Sequence, residues 1–183
     1  LGLPLWQRSV REPLLEAMGS MRAPLGRYLV LGNHDHLDDP DAITEAARDR
    51  GLLVLAGGVH TRRRAGHEFR VAGIDWHGTP RELSRMVHEV GEERPHLLLS
   101  HNPKAFPAAA RLGIPLTLAG HTHGGQVALR DRPQANLSLL HRHSRGLYSR
   151  GGSRLFVNVG AGAWFPLRRN VPAEIVMLTL RRA

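Results

Sequence analysis

The chain has 183 residues, of which 42% are hydrophobic and 22% charged, proportions that exclude a disordered or fibrous protein. It contains no cysteine, which excludes a disulfide framework, a thiolate zinc site and a cysteine nucleophile. Its length predicts a single domain over residues 1–183. No apolar run approaches the roughly 18–20 residues of a membrane span, so we expect a soluble chain, cytoplasmic or peripheral to a membrane.

The formal net charge is +9 and comes almost wholly from arginine, because Lys104 is the only lysine among 25 basic residues. Such a balance is typical of chains that bind nucleic acid, anionic lipid or an anionic substrate. The arginines are scattered and do not alternate with aromatic residues, which argues against nucleic acid as a partner. A general compositional preference for arginine is the favoured explanation of the charge.

Short apolar runs, alternating with turn and helix signals, predict a layered α/β domain. A strand is predicted over residues 27–31. The two aspartates and the proline at 38–40 are typical of a helix start and predict a helix over about 41–50, which Gly51 ends. Three further strands are predicted over residues 52–55, 59–62 and 68–74.

The second half of the chain continues the alternation and then loses it. Helices are predicted over about 80–90 and 103–112, and strands over 97–100 and 116–119. Residues 130–153 are rich in arginine, histidine and glycine without periodicity, so we expect an extended surface loop there. Two last strands are predicted over 155–159 and 174–180.

Polar turns that contain histidine follow three of the predicted strands. Their sequences are Gly-Asn-His-Asp at 32–35, Ser-His at 100–101 and Gly-His-Thr-His-Gly-Gly-Gln at 120–126. Because ligands bind beyond the carboxyl ends of strands in open α/β sheets, we expect these turns to face one crevice. The side chains concerned are Asn33, His34, His101, His121 and His123. Imidazole and amide groups suit Mn²⁺, Fe²⁺, Co²⁺ or Zn²⁺.

Each turn also has a simpler interpretation. One strand-end histidine is more commonly a packing residue than a ligand, and a glycine-rich turn can merely tolerate histidine. The occurrence of three such turns, each after an apolar run, favours the metal site.

These three segments resemble the downstream motifs of the calcineurin-like metallophosphoesterases. The Gly-Gly-Gln extension, the basic loop and the stretch from Gly146-Leu147-Tyr148 to Glu174-Ile175 resemble one branch of that family. The branch contains membrane-associated phosphodiesterases linked to lipid head groups and lipid A precursors. The resemblance runs from about residue 20 to the end and implies a four-layer α/β/β/α sandwich with two mixed sheets face to face.

The resemblance also implies a role for each polar side chain of the turns. It implies that Asn33, His101 and His121 bind the second of two divalent metals (Mn, Fe, Zn or Co). His123 corresponds to a ligand of the first metal. His34 corresponds to the general acid beside the leaving group, and Asp35 to the acidic residue that orients it. The implied reaction is attack of a metal-bound hydroxide on a phosphoester.

One part of the family pattern has no counterpart here. The family begins with an Asp-x-His turn and a Gly-Asp turn, whereas the only acidic residues before Gly32 are Glu12 and Glu16. We therefore expect a partial domain that lacks the first β-α-β segment and retains ligands mainly for one metal. The favoured function is hydrolysis of a lipid-linked or small-molecule phosphodiester or pyrophosphate. The alternative is an inactive fragment, or a remnant that binds a single metal or an anion.

Four weaker signals leave alternatives open. Asp75 and His77 either face the substrate or cap a loop, and residues 141–143 (His-Arg-His) either bind a metal or, as favoured, form a solvated face. Residues 164–167 (Trp-Phe-Pro-Leu) either contact lipid or pack on the sheet. A group of loop arginines would attract a phosphodiester or an anionic membrane surface: Arg130, Arg132, Arg142, Arg145 and Arg150.

Overall fold

A computed structural model describes residues 3–180 of the chain, with side chains from residue 9 onward. Within that part the helices are α1 (Leu3–Ser20), α2 (Asn33–Leu37), α3 (Pro40–Asp49), α4 (Pro80–Gly91) and α5 (Phe106–Arg111). The strands are β1 (Tyr28–Leu29), β2 (Leu53–Val54), β3 (Gly58–Arg64), β4 (His67–Ile74), β5 (Leu97–Ser100), β6 (Leu116–Ala119), β7 (Gly146–Arg150) and β8 (Ser153–Val157). Short 3-10 turns occupy Pro103–Ala105 and His123–Gly125.

Six of the strands form one mixed sheet in the order β3-β4-β5-β6-β8-β7. The four inner strands β4, β5, β6 and β8 are parallel, and β3 and β7 pair antiparallel at the two edges. Parallel strands end at the same edge of a sheet. The predicted histidine turns after β5 and β6 are therefore neighbours, whereas the third predicted turn, at residues 32–35, follows β1 of the two-stranded sheet.

Helices and a second small sheet cover the two faces of the large sheet. On one face, Ala72 and Ile74 of β4 pack in a buried core with α4 and α5. On the other face, a Cβ built on Gly73 would collide with Leu55 Cβ and lie 2.9 Å from Val30 Cγ1. Val30 and Leu55 directly follow the parallel pair β1-β2, which packs in turn against α1 and α3. This arrangement confirms the predicted α/β class.

The start of α3 is as predicted from the acidic residues before Pro40. The Asp39 carboxylate accepts a hydrogen bond from the Ala42 backbone N–H at 2.9 Å and caps the first turn.

Replacing Asp39 by alanine is expected to lower the free energy of unfolding by about 1 kcal/mol, because the Ala42 N–H loses its partner. Urea unfolding measures the change. The conservative variant Asp39→Asn should retain most of the cap, and Glu45→Ala, on the exposed side of α3, should change stability by less than about 0.5 kcal/mol.

Two predictions about the last third of the chain are wrong. Residues 130–153 are not one loop, because β7 lies inside that range and pairs with β8 from Gly146 to Arg150. The sequence of β7 shows no apolar alternation because it is an edge strand whose Leu147, Ser149 and Arg150 face solvent.

The strand predicted over residues 174–180 does not form. This segment has no regular structure, and Ile175 and Met177 are 89% and 94% exposed. Among residues 3–180 no strand pairs with it. Strand propensity describes how well side chains pack on a neighbouring strand, so an apolar, β-branched sequence without a neighbour in register stays irregular.

Candidate metal centre

Three polar side chains converge at the carboxyl edge of the large sheet. His101 directly follows β5, His121 lies two residues after β6, and Asn33 is the first residue of α2, just beyond β1. Asn33 Oδ1 lies 3.0 Å from His101 Nε2 and 3.1 Å from His121 Nδ1, and the two nitrogens are 3.2 Å apart. Three segments that are distant in sequence thus bring three donor atoms to one point.

The geometry and chemistry of this cluster fit a divalent cation. Bonds of about 2.1 Å to a common ion leave three ligands on one side of it roughly 3 Å apart, as these atoms are. One amide oxygen and two imidazole nitrogens suit Mn²⁺, Fe²⁺, Co²⁺ or Zn²⁺. Within residues 3–180 no three His, Cys, Asp or Glu side chains are grouped to hold a metal. The third donor here is an asparagine amide.

Burial keeps both imidazoles of the cluster neutral. It lowers the pKa of His101 to about 4, with smaller contributions from His123 and His34. It lowers the pKa of His121 to about 3, with the neighbouring His101 ring contributing next. Neutral imidazole is the form that binds a metal, so both rings are in that form at neutral pH.

The turn that carries His121 has an unusual backbone. His121, His123 and Gln126 adopt positive φ values of 70°, 49° and 58°, in a conformation that costs non-glycine residues of order 1–3 kcal/mol each. The buried Gln126 side chain holds the turn, because its Nε2 donates to the carbonyls of Phe165 and Leu167. Its Oε1 accepts from the Trp164 N–H at 2.6 Å. Such strain is typical of functional sites.

The other predicted site residues lie around this cluster rather than within it. His123 Nδ1 is 3.3 Å from the Gly162 carbonyl oxygen, and burial lowers the pKa of His123. The charge of His34 lowers the pKa of both His101 and His123. The Asp35 carboxylate accepts from the Gly32 N–H at 2.6 Å and closes the first turn of α2. The roles implied for these three side chains stay predictions.

Two further rings lie near the cluster: Trp76 was not predicted as a site residue, and metal binding by His141 was the less favoured of two alternatives. Trp76, which follows β4, has its ring centroid 4.8 Å from that of His121, and the His141 ring lies 4.9 Å from His121. The solvated face favoured for residues 141–143 is therefore wrong for two of the three, since His143 packs at 4.7 Å against Tyr148. A histidine in an arginine-rich loop carries no sequence signal for this packing.

The structure also shows the contacts of the residues on either side of Trp76 and of the loop at 164–167. His36 Nε2 contacts the Asp75 carboxylate at 2.8 Å, and His77 Nδ1 accepts from the Thr79 N–H at 3.1 Å, a loop-capping arrangement. The backbone of the loop is bound by Gln126, while Trp164 stays 65% exposed.

Comparison with known proteins shows similarity to several metallophosphoesterases. The chain is 28% identical over 93% of its length to an uncharacterized metallophosphoesterase, YkuE, of Bacillus subtilis, and covers 61% of that protein. It is 28% identical to a transmembrane protein with metallophosphoesterase domain of Bos taurus, covering 44% of it, and 30% identical to the Danio rerio protein of that name, covering 42%. No family model matches the chain, and no solved structure matches it.

The names of these relatives all refer to a metallophosphoesterase or its domain, and the mixed α/β fold of the chain is consistent with that class of protein. The chain is similar to metallophosphoesterases over nine-tenths or more of its length. It spans about half the length of the curated relatives it matches. Within residues 3–180, no helix has both the length and the apolar character to cross a membrane.

Proposed function

We propose that this chain is a metal-dependent phosphoester hydrolase, or the part of one that holds a catalytic metal. The observation that carries the proposal is the convergence of Asn33, His101 and His121 within 3.0–3.2 Å of one another. Similarity to metallophosphoesterases supports a phosphoester as the substrate class. Because the relatives are longer, the activity of the whole protein is part of the proposal.

In the proposed reaction each side chain of the turns has a separate role. Asn33, His101 and His121 would hold a divalent cation, which would supply Lewis acidity and lower the pKa of water. His34 lies beside the cluster and donates a proton to the departing oxygen, while Asp35 fixes the turn that carries it. In the overall reaction water provides the oxygen of the new P–O bond, and the leaving alcohol takes the proton. In the proposed dinuclear centre, His123 would be a ligand of the other cation.

An open groove with apolar and basic lining supports a lipid-linked phosphodiester or pyrophosphate as the substrate. It has a volume of about 690 Å³ and begins at Val127, directly after the strained turn. Its apolar lining includes Leu129 and Leu139, which are 60% and 85% exposed, and its basic lining includes Arg130 and Arg169. Apolar walls beside guanidinium groups suit a ligand with acyl chains and a phosphate, or the surface of an anionic membrane.

Calorimetric titration with MnCl₂ and hydrolysis of bis-p-nitrophenyl phosphate test this function. We expect the unmodified chain to bind Mn²⁺ and hydrolyse the ester, and His121→Ala to lose both. The matched control is His67→Ala, because His67 begins β4 and lies roughly 23 Å from its carboxyl end. Equal metal binding and turnover in the His121 and His67 variants would contradict the proposed site.

The second candidate function is that of a single-metal-binding protein without hydrolytic activity. It is favoured by the same geometry, because Asn33, His101 and His121 make a single site. His123 contacts the Gly162 carbonyl oxygen and does not join these three side chains. The titration separates the two candidates. One Mn²⁺ per chain without turnover supports the binding protein, whereas turnover that depends on His121 supports the hydrolase.

A further inference from the structure

The His121 ring contacts two other rings. The Trp76 ring has its centroid 4.8 Å away with the planes at 46°, and the His141 ring makes an edge-to-face contact at 4.9 Å and 75°. The Trp76 ring also meets His101 edge to face at 5.8 Å. Trp76 and His141 come from different parts of the fold, the end of β4 and the loop before β7.

Ring orientation decides whether His121 can act as a ligand. Only one edge of its imidazole carries Nδ1, which lies 3.1 Å from Asn33 Oδ1 and 3.2 Å from His101 Nε2. A half-turn of the ring would replace Nδ1 with a carbon. The residue also has a positive φ of 70°, so its backbone is itself strained. Close aromatic neighbours restrict such rotation, because protein interiors are packed without free space.

The contact made by His141 is one of packing. Its Nδ1 is buried and has no hydrogen-bond partner among the described residues. Its Nδ1 therefore makes no hydrogen bond to the cluster, and the contact with His121 is the edge-to-face contact of the two rings. His143, two residues further on, offers a comparison, since its ring packs instead against Phe106 and Tyr148.

We propose that Trp76 and His141 are positioning residues that form an aromatic clamp, holding the His121 ring with Nδ1 toward the metal site. The inference rests on the proposed function, since it assigns these two rings to the same centre. It differs from that function in naming residues that bind neither metal nor substrate. The clamp needs an aromatic ring at position 141 but not an imidazole.

Calorimetry with MnCl₂ and the visible spectrum of the Co²⁺-loaded chain test the clamp. Replacing His141 by alanine should weaken Mn²⁺ binding on the order of tenfold and shift the Co²⁺ absorption bands, because His121 becomes free to rotate. His141→Phe keeps the edge-to-face contact and should restore both the affinity and the spectrum. His143→Ala, the matched control, should leave both unchanged.

A second pair of variants tests the contact that Trp76 makes with the His121 ring. Trp76→Leu should weaken Mn²⁺ binding as His141→Ala does, whereas Trp164→Leu, at an exposed position, should not. Affinity in both clamp variants equal to that of the unmodified chain would overturn the clamp while leaving the proposed function intact. Loss of affinity in His141→Phe equal to that in His141→Ala would also overturn it. Absence of Mn²⁺ binding by the unmodified chain would overturn the proposed function and the clamp together.

Discussion

Replacing Gly32 by alanine is expected to lower the affinity for Mn²⁺ on the order of 100-fold while the fold is retained. A Cβ at this position would lie 2.6 Å from Cε1 and 2.9 Å from Nε2 of His101, far inside normal contact. The φ of Gly32 is −110°, which alanine adopts readily, so the backbone itself is not strained. The added methyl must therefore displace the His101 ring, whose Nε2 is one of the three converging donors.

Gly58→Ala is the matched control for this experiment. A Cβ on Gly58 meets nothing within 4 Å, and its φ is not positive. Calorimetry with MnCl₂ measures the affinity of both variants, and circular dichroism verifies their fold. If the Gly32 variant bound Mn²⁺ as tightly as the Gly58 variant, His101 would not be a ligand in the position described.

Replacing Phe106 by alanine is expected to lower the free energy of unfolding by about 3–5 kcal/mol. Phe106 is 2% exposed and joins α5 to the large sheet, where it packs in a cluster with Leu155 and Val157 of β8. Removing the ring leaves a cavity between α5 and the large sheet, because the backbones of the helix and the sheet cannot move together to fill it. Urea unfolding monitored by circular dichroism measures the loss.

The control for the Phe106 variant is Leu147→Ala on β7. Leu147 is 62% exposed, so its truncation should change the free energy of unfolding by less than about 0.5 kcal/mol. A small change in the Phe106 variant, similar to that of Leu147→Ala, would mean that α5 contributes little to the core.

Much of the fold follows from local signals in the sequence. The acidic residues and Pro40 predict the start of α3, and the histidine turns are predicted at the ends of β5 and β6, where the structure has them. These signals are reliable because capping and turn formation depend on residues only a few positions apart. The same local rules predict a strand over residues 174–180, which does not form because pairing depends on a distant partner.

The sequence by itself determined the α/β class, the family resemblance and the identity of the side chains at the cluster. The tertiary structure alone decided which of those side chains meet. It brings Asn33 and His101, 68 residues apart, to 3.0 Å, and leaves His123 beside the Gly162 carbonyl. It also places Trp76 and His141 around His121. The physical reason is that turns and candidate ligands are predicted from residues close together in sequence. The distances between remote segments depend instead on the parallel order of the inner strands and on how the layers pack.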